Sequence, residues 1–60
     1  MLSLSKSEIE QKIAELKMDY IRIQGDIEKL ESVGQDPSKA EQMLENIEKE
    51  LSELRKRLEE

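Results

Sequence analysis

The sequence predicts an all-α fold, an antiparallel two-helix coiled-coil hairpin expected to dimerise into a four-helix bundle. Three observations carry that prediction: two uninterrupted apolar stripes at heptad spacing, one Gly-Gln-Asp-Pro break between them, and a charge-rich composition almost free of aromatic residues. Helix 1 is expected over about 5–33, the turn over 34–36 and helix 2 over about 37–59, in a single domain spanning 1–60.

Helix 1 has its start written into it. Ser5 and Glu8 have the spacing of a capping box, in which each side chain satisfies an orphan amide of the first turn. Leu4 and Ile9 fall at the two positions of a hydrophobic staple, and Ser7 with Glu10 repeats the box two residues later. The apolar residues then run Ile9, Ile13, Leu16, Tyr20, Ile23, Ile27 and Leu30, spaced alternately by 4 and 3. This is a heptad seam, with Ile13, Tyr20 and Ile27 at a and the others at d. A disordered polyampholyte has no reason to keep such a register.

Gly34 falls where a helix C-terminus needs a left-handed residue. Asp36 and Pro37 read as N-cap and first residue of helix 2, and Ser38 with Glu41 offers a second capping box. The second seam is Ala40, Leu44, Ile47, Leu51, Leu54 and Leu58, with Arg55, Lys56 and Arg57 near the C-terminus, where positive charge suits the helix dipole. A continuous helix would hold Pro37 and Gly34 inside it, at a cost of about 3 and 1 kcal/mol. So short a link makes the helices antiparallel neighbours.

The turn sets a register. Ile27/Ala40, Ile23/Leu44, Tyr20/Ile47, Leu16/Leu51, Ile13/Leu54 and Ile9/Leu58 all share one constant sum of residue numbers. One flank then brings Glu10 toward Arg55 and Lys17 toward Glu48. The other brings Lys12 toward Arg57 and Asp19 toward Glu50. Tyr20 is expected as core filler with its hydroxyl at the rim, and Met43 as filler at the core edge.

Helix 1 carries a second stripe. Ala14, Met18, Ile21 and Gly25 are spaced 4, 3, 4 and point roughly opposite the seam. One reading makes Met18 and Ile21 scattered surface hydrophobes. The other makes the stripe a protein-interaction face: the spacing suits packing against another helix, and the small end residues permit close approach. A mid-helix glycine costs roughly 1 kcal/mol against alanine, and close backbone contact would offset it.

Composition limits the chemistry. The 60 residues contain no cysteine and no histidine, which removes disulfides, thiolate metal sites and the commonest general base. Below about 70–80 residues one core rarely suffices without a staple, and oligomerisation is the staple left. Carboxylates are abundant but dispersed over helix faces, and the only glycines are Gly25 and Gly34, so no phosphate cradle exists. No catalytic, cofactor-binding or metal-ligating residues are expected, and the protein is not expected to be an enzyme. A net charge of −5 argues against nucleic acid. No apolar run approaches the ~20 residues of a membrane span, and the polar positions of helix 1 lean acidic where an interfacial helix wants Lys and Arg. Met1–Ser7 lacks a signal-peptide core, so a cytoplasmic protein is expected. Capping that begins at Leu4–Ser5 and a last heptad ending at Leu58 favour a free-standing hairpin over an arm of a larger enzyme.

The stretch Leu16-Lys-Met-Asp-Tyr-Ile-Arg-Ile-Gln-Gly-Asp-Ile-Glu-Lys-Leu-Glu-Ser32 resembles the core of a group of short, uncharacterised coiled-coil hairpin proteins of Gram-positive Bacillota. Met18 to Gly25 is its specific part. The resemblance implies a bacterial cytoplasmic protein and no site residues. Two functions fit the second stripe. One is a self-associating structural or scaffold protein, a homodimer through the Ala14–Gly25 face. The other is a small regulator docking the same face on a different protein, such as a kinase or transcription factor.

Overall fold

Ser5 holds an extended backbone (φ −72°, ψ 162°), and its hydroxyl accepts a hydrogen bond from the Glu8 amide at 3.2 Å in the computed structural model, which describes residues 4–59. Met1–Ser3, part of the segment read above for a leader, and Glu60 lie outside the described residues. Helix α1 follows from Lys6 to Ser32 and helix α2 from Ser38 to Glu59. The first box is the cap in use: the Ser5 carbonyl also accepts the Ile9 amide at 3.0 Å. Leu4 stays 37% exposed above a buried Ile9.

The turn is built from backbone bonds. Gln35 donates its amide to the Leu30 carbonyl at 2.8 Å and Gly34 donates to Glu31 at 3.2 Å, the paired bonds of a Schellman motif. That motif needs a left-handed residue, and Gly34 supplies it at φ 72°. Asp36 then caps α2, its Oδ1 accepting the Ser38 amide at 3.0 Å, while the Pro37 carbonyl accepts the Glu41 amide at 2.9 Å. Ser38 is not the cap. Its hydroxyl donates to the same Asp36 oxygen, because Asp36 already stands where the first free amides converge. Ser5 and Val33 flank α1 as its caps and Pro37 just precedes α2, so each of these bounds falls one residue inside the expected one.

The two helices pack as an all-α hairpin 45 Å long and 19 by 15 Å across. Among the described residues every buried one lies on one of the two seams: Ile9, Ile13 and Ile23 on α1, Ala40, Leu51 and Leu54 on α2. The remaining seam positions are half-buried. Ile9, Ile13, Leu51 and Leu54 form one cluster with Leu16, Ile47 and Leu58 packed on it, the grouping the constant-sum register requires. Near the turn Ile23 is the most deeply buried residue, at 2% exposed. No polar side chain is buried among the described residues, so the core is purely apolar.

Lys17, Glu48 and Arg55 lie together along one flank, as the register expects. Among the described residues no ion pair within 4.0 Å crosses between the helices; Glu10 does not pair with Arg55, nor Lys17 with Glu48. Exposed pairs gain little and immobilise two long side chains, so they form only where geometry is ready-made. Asp19 pairs within its own helix, with Arg22 at 3.8 Å, and Arg22 also reaches Asp26 at 3.7 Å. Met43 is 48% exposed rather than edge filler, since its seam neighbour Leu44 occupies the half-buried position. No described helix is long and apolar enough to cross a membrane.

Candidate functional site

The second stripe lies wholly on α1, and the hairpin leaves most of it in solvent. Met18 is 72% exposed and Ile21 68%, against less than 10% for the seam residues Ile9, Ile13 and Ile23 one face away. Ala14 is exposed and Gly25 half-buried. Other exposed hydrophobes, Leu4 and Val33, sit at the ends of α1, where fraying chains commonly carry them. Met18 and Ile21 sit in the middle of the longer helix.

Gly25 behaves differently from Gly34. A Cβ built on Gly25 meets nothing within 4 Å, and its backbone is ordinary helix. The hairpin itself therefore has no steric reason to prefer glycine at 25. Gly34, by contrast, has a backbone conformation that side chains rarely adopt. The close approach expected at Gly25 is not made by α2.

Ile21 has a second role. It forms the shoulder of an open groove of about 350 Å³ running between the helices, lined also by Lys17, Tyr20, Glu48, Leu51 and Arg55. Ile21 thus joins the outer face of α1 to the flank of the seam, while Met18 lies further round. The stripe is a surface that wraps α1 from groove to back. The other groove residues lie outside the expected face, although the register signals them by placing Lys17 opposite Glu48 on this flank.

Tyr20 lines the groove. Its ring occupies an a position of the seam and its hydroxyl donates to Glu48 Oε1 at 3.0 Å, the only side-chain hydrogen bond between the helices among the described residues. Accepting that bond favours the neutral phenol, so Glu48 raises the Tyr20 pKa above its ordinary 10.0; the negative charge of Glu48 adds to the rise, and desolvation adds a little more. The contact joins the two helices at the groove. The hydroxyl end is exposed, and the phenol stays protonated at neutral pH. Among the described residues no three acidic side chains are grouped to hold a metal ion.

Comparison of the chain with models of protein families, with curated proteins and with solved structures found no match. Function is therefore read from the surface itself.

Proposed function

We propose that the hairpin is a non-enzymatic protein-interaction module, a self-associating structural or scaffold protein whose Ala14–Met18–Ile21–Gly25 face meets a second copy and brings four helices into one bundle. The observation that carries this reading is the exposure of Met18 and Ile21 at 72% and 68% on a helix whose other apolar face is already satisfied. A face this apolar at helical spacing suits another helix. Gly25 supports it, since its helix penalty has no counterpart within the hairpin.

Magnitudes set the expected strength. Burying Met18 and Ile21 from both copies at ~1.5–3 kcal/mol each yields ~6–12 kcal/mol. Association opposes this with about 4–15 kcal/mol of lost freedom. The complex is then reversible and no tighter than about micromolar. Sedimentation equilibrium across concentration tests the reading. Wild type is expected to move from monomer to dimer, and Met18→Glu/Ile21→Glu to stay monomeric with unchanged helicity by circular dichroism. A wild type monomeric at every concentration contradicts self-association, and the same face then becomes the bait surface for a different protein.

A further inference from the structure

We infer that the second copy lies antiparallel, α1 against α1 about a twofold axis, with Met18 on the partner's Ile21 and Ala14 on the partner's Gly25. This rests on the self-association reading and specifies the geometry of its contact. The first ground is the order of side-chain sizes. Ala14, Met18, Ile21 and Gly25 run small, large, large, small along the helix. A twofold axis passing between residues 19 and 20 then sets large on large at the centre and small on small at both ends. The next positions outward, Gln11 and Glu28, face each other and close the apolar surface with polar groups.

The second ground is charge. The α1–α2 seam shows how antiparallel flanks are read: Lys17 and Glu48 share one flank because they lie between the same two core layers. The same construction on the outer face of α1 sets Glu15 beside the partner's Arg22, twice by symmetry, and Lys17 beside the partner's Gln24. Further out it sets Glu8 beside the partner's Lys29 and Glu10 beside the partner's Glu31, the one repulsive pair. A parallel pairing reverses the balance. It places Lys17 on the partner's Arg22 and Glu10 on the partner's Glu15, each twice, with no opposite-charge pair to offset them. Arg22 is accessible to such a partner. Its side chain is 61% exposed, and it lies along the helix surface between Asp19 and Asp26 with donors to spare.

The placement also determines the shape of the assembly. Met18 and Ile21 lie away from the seam, so the two α1 helices form the inner pair and the two α2 helices the outer one. The bundle is open and layered rather than a closed square.

Charge reversal tests this, on a chain whose Glu15 and Arg22 both point away from α2. Glu15→Lys and Arg22→Glu are each expected to weaken self-association roughly tenfold by sedimentation equilibrium, two attractive pairs becoming repulsive. An equimolar mixture of the two variants is expected to recover wild-type affinity as a heterodimer, seen by native mass spectrometry. That recovery also shows both variants to be folded. Variants that self-associate more tightly than wild type indicate the parallel arrangement, where the new lysine meets Glu10 and the new glutamate meets Lys17, and overturn the inference. A dimer lost with Met18→Glu/Ile21→Glu yet indifferent to both charge variants overturns the antiparallel geometry and leaves self-association standing. A monomeric wild type overturns both.

Discussion

Tyr20 is the only aromatic residue in the chain, and its two ends sit in different surroundings. The ring is half-buried in the seam and the hydroxyl donates to Glu48 at 3.0 Å. Because the folded state raises the phenol pKa, stability from this contact is complete below the unfolded value of 10.0 and is lost as pH climbs through the folded one. With a single tyrosine, ionisation can be followed directly by phenolate absorbance. The midpoint is expected above 10.0 in buffer, back near 10.0 in urea, and lowered toward it by Glu48→Gln. Equal midpoints in buffer and urea would show that the bond to Glu48 does not persist in solution. Asp36 has the opposite sign. Its bonds from the Ser38 hydroxyl and amide lower its pKa below 3.8, so the cap it provides is present above that value and lost as pH falls further. The a position of Tyr20 made a rim hydroxyl legible in the sequence. Its acceptor was not, because several acidic side chains line α2 and only the rotation of the helices selects Glu48.

At the scale of the element, the glycine within α1 and the glycine in the turn that follows it behave oppositely. Gly34 is explained by its turn: φ 72° and two backbone bonds leave no easy substitute. Gly25 is explained by nothing within the hairpin. Gly25→Ala is therefore expected to stabilise the dilute, monomeric hairpin by about 0.5–1 kcal/mol, since it removes backbone freedom from the unfolded chain without a clash. The same change is expected to weaken self-association, because the added methyl group stands where the partner's Ala14 approaches. Thermal unfolding at low concentration and sedimentation at high concentration read the two effects separately. A variant that gains in both would remove Gly25 from the interface. Helix ends and seams were readable because they obey local rules: Ser5, Gly34 and Asp36 each satisfy backbone groups within five residues. The groove was less readable. Leu51 looks like any seam leucine in sequence, and it borders the groove only because α2 sets it beside Ile21.

For the whole molecule, the hairpin presents a strong contrast of faces. The outer positions of α2 are almost entirely polar, with Met43 the exception, whereas α1 has an apolar face on either side. Sequence periodicity revealed both stripes of α1 and took the longer one, from Ile9 to Leu30, as the seam. The structure agrees: that stripe packs against α2, and Met18 and Ile21 of the other stay in solvent. A small domain with a purely apolar core and an unsatisfied helix face has most to gain from a second copy. The most direct test is a methyl NMR dilution series from millimolar to micromolar concentration. The Met18 and Ile21 methyl resonances are expected to shift with concentration, while those of Ile9, Ile23 and Leu54, deep in the seam, stay in place. Resonances that are all independent of concentration, or shifts centred on Met43 and Leu4 instead, would contradict self-association through the outer face of α1.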